Sequence, residues 1–252
     1  MRVALVLVFA FAVGAPSARA QQPADSTSSH GPAAPVTPAP IRRWSVIVDV
    51  GWSRGGPSSD IETAMNDAGL GEDEPGLFGG SLAYPSSERD GPFPVEAQYR
   101  ISQPWSVGVL YGRLLNGSTK GSGAFLGKDL AVDYRVTSVA VLLSAGLSDF
   151  QIGIGPALHH VQSRSDTTFG FAPSPWTDHW KVGFIAEARA MVTARSRVFL
   201  DLTVKYSFVG DEVVGPYSSS SGFLNSEPPT TFPPTSIKFN HWFIGPGLGV
   251  RF

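Results

Sequence analysis

The 252-residue chain contains no cysteine. It therefore forms no disulfide and has no thiol to which a lipoprotein anchor could be attached. Basic charge is not in excess either: 19 Lys and Arg stand against 21 Asp and Glu. That balance leaves no electrostatic footprint for nucleic acid. After residue 20 no apolar run reaches the roughly 18 residues needed for a transmembrane helix. If the chain crosses a membrane it must do so as a closed barrel, because lipid cannot satisfy open strand edges. What is abundant is Gly and Pro, 28 and 21 residues, which suits many turns and few long helices.

The first 20 residues have the form of a secretory signal. Met1-Arg2 is a short basic start, Val3 to Val13 is apolar, and Ala18-Arg19-Ala20 is an A-x-A cleavage site. Cleavage after Ala20 removes Arg2 and Arg19, leaving 17 basic and 21 acidic residues, a net charge of −4. Residues 21–41 are rich in Pro, Ala, Ser and Thr and nearly uncharged, the composition of a flexible linker. Residues 42–252 are expected to fold as one unit.

That unit carries eight segments with period-two alternation, the pattern of strands between two different environments. They are 44–52, 95–101, 105–115, 132–145, 150–161, 181–193, 198–208 and 236–252. The seventh alternates most regularly: Val198, Leu200, Leu202, Val204, Tyr206 and Phe208 oppose Asp201, Thr203, Lys205 and Ser207. In the fourth, Val132, Tyr134 and Val136 oppose Asp133, Arg135 and Thr137. Both faces turn apolar beyond Ser138, so a phase slip or bulge is expected there. The last segment sets Trp242, Ile244, Leu248, Val250 and Phe252 against Gly245, Gly247, Gly249 and Arg251. Connections alternate strictly between long and short. Residues 53–94, 116–131, 162–180 and 209–235 form the long ones, and 102–104, 146–149 and 194–197 the short ones. Aromatics gather near both ends of the segments: Trp44, Tyr99, Trp105, Phe150 and Phe252 at the short-turn end, and Trp52, Tyr111, Phe184, Tyr206, Phe208 and Trp242 at the other.

The apolar stripe ending on Phe252 resembles the C-terminal assembly signal of bacterial outer-membrane β-barrels. Residues 44–252 together resemble the small eight-stranded OmpA-type and OmpW-type barrels. The resemblance implies an all-β fold, an eight-stranded antiparallel transmembrane β-barrel with long external loops and short periplasmic turns. It implies a monomer in the outer membrane of a Gram-negative envelope, bounded by outer-membrane lipid. Trp242, Ile244, Leu248, Val250 and Phe252 would be read by the barrel assembly machinery. Neither a cofactor nor nucleic acid is expected as a partner.

An eight-stranded barrel has an interior about filled by side chains. Asp49, Glu96, Arg100, Arg135, Glu187, Arg189, Asp201, Lys205, His241 and Arg251 are assigned to it, with Gln98, Gln151 and His159. Buried charges of both signs must pair, so the expected interior is an ion-pair network plugging the lumen. The expected role is a non-enzymatic structural component of the envelope, or a narrow channel for small solutes. No catalytic or metal-binding residue is assigned. His159 and His160 face opposite sides of a strand and cannot share one metal. Lipid A deacylases of the outer membrane carry a His-x-Ser-Asn strand motif. The stretch His159-His160-Val161-Gln162-Ser163 departs from it, which leaves a lipid-modifying enzyme as an alternative. A secreted soluble barrel holding an apolar ligand is another, opposed by the charges on the inner face. In the first long connection Ser59 and Glu62 are placed as a capping box, with Ile61, Ala64, Met65 and Ala68 on one helix face and Gly69 ending the helix.

Overall fold

The computed structural model describes residues 43–68, 92–122, 129–147, 149–166, 173–192, 197–218 and 231–252. The signal, the linker and Gly69 lie outside them. Strand β1 (Trp44–Asp49) is followed by β2 (Trp52–Gly55), helix α1 (Ser58–Asp67), β3 (Val95–Arg100), β4 (Trp105–Ser122), β5 (Asp129–Leu147), β6 (Phe150–Asp166) and β7 (Thr177–Met191). Next come β8 (Val198–Phe208), the short β9 (Asp211–Val214), β10 (Tyr217–Ser218), β11 (Thr231–Phe232) and β12 (Thr235–Lys238), and finally β13 (His241–Arg251).

Eight of these strands close a ring in the order β1-β3-β4-β5-β6-β7-β8-β13, with β13 pairing back on β1, every pairing antiparallel. Strand β2 continues β1 along the same edge of β13. The interruption falls at Val50-Gly51, where Gly51 lies against the Ile244 carbonyl. A side chain at Gly51 would displace the neighbouring strand, so glycine is required by close approach.

The ring is inside-out relative to a soluble protein. Trp52, Tyr111 and Val182 are 68, 61 and 83 % exposed. Val109, Val141, Leu143, Ile152, Ile154, Leu200, Leu202 and Leu248 also point outward, while Asp49, Glu96, Arg189 and Lys205 are fully buried. A continuous apolar exterior of this size belongs in lipid, and ring closure removes the unpaired edges lipid would not tolerate. Aromatic pairs mark its two rims: Trp44 lies 4.9 Å from Tyr99 at the short-turn end, and Tyr206 lies 4.6 Å from Trp242 at the other.

Three expectations need correction. First, much of what reads as long connection is strand. Residues 116–122 and 129–131 belong to β4 and β5, and 162–166 and 177–180 to β6 and β7. Polar composition marks this wall as leaving the lipid, not as leaving the sheet. Second, β5 has no phase slip. Its even-numbered side chains face inward from Leu130 to Ser144. The bulge sits on the partner strand, between Arg113 and Leu115 of β4. Third, the eighth segment is not one strand, since Phe239 and Asn240 separate β12 from β13.

The long-loop end of the ring holds a second, apolar core. Ile61 and Met65 of α1 meet Leu115, Leu130, Val132, Tyr134, Val136 and Val161 from the walls of β4, β5 and β6. Val214, Tyr217, Phe232, Ile237 and Phe239 complete the cluster from the chain between β8 and β13. The face of α1 carrying Ile61, Ala64 and Met65 is thus the buried one. Its start differs from the expected capping box. Pro57 is the N-cap and no side chain caps the helix, while Thr63 Oγ1 donates back to the Ser59 carbonyl at 2.9 Å. Asp60 is used tertiarily instead: its carboxylate accepts the Lys238 backbone N–H at 3.0 Å.

Candidate functional site in the barrel lumen

Alternation along four strands brings six charges into the interior at mid-height: Asp49 from β1, Glu96 from β3, Glu187 and Arg189 from β7, and Asp201 and Lys205 from β8. Arg189 Nη2 donates to Glu96 Oε2 at 2.7 Å and to Glu187 Oε2 at 3.3 Å, with Asp49 Oδ2 at 3.6 Å. Its Nε lies 3.4 Å from Asp201 Oδ2. Lys205 Nζ donates to Asp49 Oδ2 and Glu187 Oε2, both at 2.8 Å, and to Thr203 Oγ1 at 3.2 Å. Gln98 Nε2 donates to Glu96 Oε1 at 2.7 Å.

One guanidinium and one ammonium group thus hold four carboxylates together. The cluster depends on glycine at Gly247, which pairs with Asp49 on one side and Asp201 on the other. A methyl group there would overlap Oδ1 of both aspartates. Gly108 does the same for Glu96, whose Oε1 would lie 2.8 Å from an added Cβ. Gly247 thus makes room for buried carboxylates and Gly249 for the Phe199 ring, and their strand setting lacks the helix that a phosphate loop needs.

The other residues assigned to the lumen are spread along it. His241 is fully buried on the long-loop side, with Nδ1 2.9 Å from the Phe239 carbonyl. His159 lies on the inner face of β6, its Nδ1 2.8 Å from Ser138 Oγ. Arg251 occupies the short-turn end, its guanidinium 4.4 Å over the Phe199 ring and its Nη2 3.0 Å from Met191 Sδ. Arg100 is half-buried on the inward face of β3 at the same end. Arg135 is a correction: it is not in the lumen. It lies on the outer wall above the apolar band, where Nε donates to Gln162 Oε1 and the guanidinium stacks 4.1 Å from the Trp176 ring. The in-out assignment reverses there because the cap makes the inside of the wall apolar and the outside has passed beyond the apolar band.

Between the charges and the cap, Leu110, Leu114, Ala140, Leu142, Ala157 and Ile185 form a further apolar patch on the inner faces of β4 to β7. Two features touch on an enzymatic alternative. His160 lies on the outer surface, stacked 4.4 Å from Trp180, with Nε2 3.1 Å from Asp178 Oδ2. Its cross-strand neighbour on β5 is Thr137, and Ser163 points inward to Tyr217, 3.0 Å from its hydroxyl. Gly51-Trp52-Ser53-Arg54-Gly55 fits the G-x-S-x-G consensus, which corrects the expectation that the chain has no such motif. That consensus places an exposed serine on a strand-to-helix elbow. Here Ser53 lies within β2, is buried, and donates to the Leu114 carbonyl.

No protein-family model and no curated protein matches the chain. Solved structures similar to it are outer-membrane barrels. The outer membrane protein OprG from Pseudomonas aeruginosa is 12% identical, with a TM-score of 0.46 over 84% of this chain and 97% of that one. The attachment invasion locus protein Ail of Yersinia pestis is 12% identical, with a TM-score of 0.44 over 84% and 100%. Neisserial surface protein A is 15% identical, with a TM-score of 0.42 over 83% and 97%.

Proposed function

We propose that this protein is a closed, non-enzymatic β-barrel of the outer membrane, a structural component of the envelope whose lumen is plugged. The six-charge cluster centred on Arg189 and Lys205 carries this reading, because fully buried, mutually bonded charges fill the cross-section a solute would need. The apolar cap lies in series with it. The exterior band supports a membrane location, with the short turns and both ends of the ring-forming chain on the periplasmic side. Pairing of β13 with β1 leaves the sheet no edge through which to associate, in keeping with a monomer. Lipid is the surrounding partner, and the stripe Trp242, Ile244, Leu248, Val250 and Phe252 is the segment proposed to engage the assembly machinery.

Planar-bilayer recording of the purified protein is the test. The expected trace is flat, with no steady open level. A persistent open level in the parent protein would favour the narrow-channel alternative and overturn the plug.

A further inference from the structure

Three arginines stand on the outer wall just beyond the apolar band. Arg113 points outward from β4, two residues past Tyr111. At ~3.3 Å per residue on a strand tilted by ~40°, that step rises ~5 Å, from the aromatic rim into the headgroup layer. Arg113 pairs with Thr137, two residues from Arg135 on the same face of β5. Arg135 pairs with Gln162, two residues from Arg164 on β6. The three are thus successive diagonal neighbours across three strands.

Trp176 organises two of them. Arg135 and Arg164 lie over its ring, at 4.1 and 4.7 Å from the centroid. Stacking fixes a guanidinium plane while leaving its edge N–H groups free to donate, an arrangement suited to bidentate recognition of phosphate. The acids of this wall are already engaged: Asp133 accepts from Arg164 Nε at 2.9 Å, and Asp178 from His160 at 3.1 Å. Asp166 and Lys120 stand higher on the wall. Among the described residues no carboxylate forms a salt bridge with Arg113 or Arg135, and Asp178 lies two strands from β5, ~10 Å away. Two guanidinium groups without a carboxylate partner, Arg113 and the stacked Arg135, thus face the layer where lipid headgroups sit.

We infer that Arg113 and Arg135, with Arg164 and Trp176 behind them, form a site on the barrel exterior for the phosphate groups of a phosphorylated outer-leaflet lipid of the lipid A type. The inference rests on the outer-membrane reading above. It makes the β4–β6 wall a lipid-recognition surface.

The test titrates lipid A into the full mature protein folded in uncharged detergent micelles, with bound lipid counted by native mass spectrometry. Folding of every sample is checked by the shift in gel mobility on heating. The double variant R113Q/R135Q should bind lipid A about 30-fold more weakly, as expected for two lost headgroup-level cations. Arg197, exposed at the short-turn end of the ring just before β8, is the control, and R197Q should stay within about twofold of the parent. Lipid A stripped of its phosphates should bind parent and double variant alike. Equal affinity of parent and double variant for lipid A, or no loss on removing the phosphates, would refute the site. Displacement of lipid A by millimolar inorganic phosphate would also refute it, pointing to a free-anion site. A parent chain with no heat-modifiable mobility in micelles or vesicles would instead overturn the membrane barrel itself.

Discussion

Replacing Lys205 with Met separates a dry lumen from a wet one. The substitution keeps most of the side-chain volume and removes one of two cations facing four carboxylates. Lys205 Nζ sits 2.8 Å from both Asp49 and Glu187 and 3.8 Å from Glu96, all fully or almost fully buried. In a water-free interior, breaking such a pair costs about 3–5 kcal/mol, because the remaining charges lose their partner without regaining water. In a water-filled pore the same contact is screened like a surface ion pair and is worth about 0–1 kcal/mol. The difference, about 3 kcal/mol, is roughly a hundredfold in the folding equilibrium.

The measurement is urea unfolding of the protein inserted in phosphatidylcholine vesicles, followed by tryptophan fluorescence and by heat-dependent gel mobility. K205M should lower the midpoint at an unchanged denaturant slope. D201N supplies the contrast. The Asp201 carboxylate accepts no hydrogen bond from the described residues, and its nearest cation is Arg189 Nε at 3.4 Å. Removing its charge relieves a cluster that is negative when fully ionised, so D201N should stay within about 1 kcal/mol of the parent. If K205M also stays within 1 kcal/mol, the cluster is solvated and the plug is wrong.

Two further substitutions test the cap and the terminal stripe. Ile61 is fully buried in the apolar cluster, so I61D would place an unpaired carboxylate there at a cost of several kcal/mol and should release α1. Limited proteolysis of the folded variant should cut between β2 and β3 while the barrel keeps its heat-modifiable mobility; unchanged resistance would refute the packing of α1. The Phe252 ring is on the outer face, and its backbone N–H donates to the Trp44 carbonyl at 2.8 Å. F252A removes the ring but not that bond and should lower stability by about 1–2 kcal/mol and slow membrane insertion. Parent-like insertion kinetics and yield would argue against a role for the ring in assembly.

The ring was legible in the sequence wherever lipid lies on one side of a strand and the lumen on the other. Val198 to Phe208 is the clear case, because every even position meets lipid and nearly every odd position meets the polar interior. Arg135 was misassigned because its strand outlasts that environment. Below Ser138 in number the outside has left the apolar band and the inside is the cap, so Val132, Tyr134 and Val136 turn inward without any slip of the backbone. Hydrophobic pattern reports which face is apolar, and the sign of that report depends on what surrounds the strand. The bulge at Leu114 was hidden for a related reason: Leu114 and Leu115 both face the buried interior, so an extra residue leaves no break in hydropathy. The lumen charges could be enumerated from parity but not paired. Strand stagger sets their heights, and that is a property of ring closure, which brings Glu96 to Arg189 across 93 residues.

On the proposed reading, two seals in series constrain any conducting state. If the charge cluster alone closed the lumen, a rotation of Arg189 or Lys205 toward other carboxylates would suffice to open it. Here the path from the cluster toward the long-loop end continues past Leu110, Leu142 and Ile185 and then meets Ile61, Met65, Phe232 and Phe239. Those side chains carry no charge for a rearranged cluster to act on, and α1 is tied at Asp60 to the backbone of Lys238. Rearranging the charges therefore leaves the cap in place, and releasing α1 leaves the ion pairs in place. Conduction would require both at once, through elements that share no ionic contact among the described residues. A structural barrel with a closed interior follows more directly from this arrangement than a gated one.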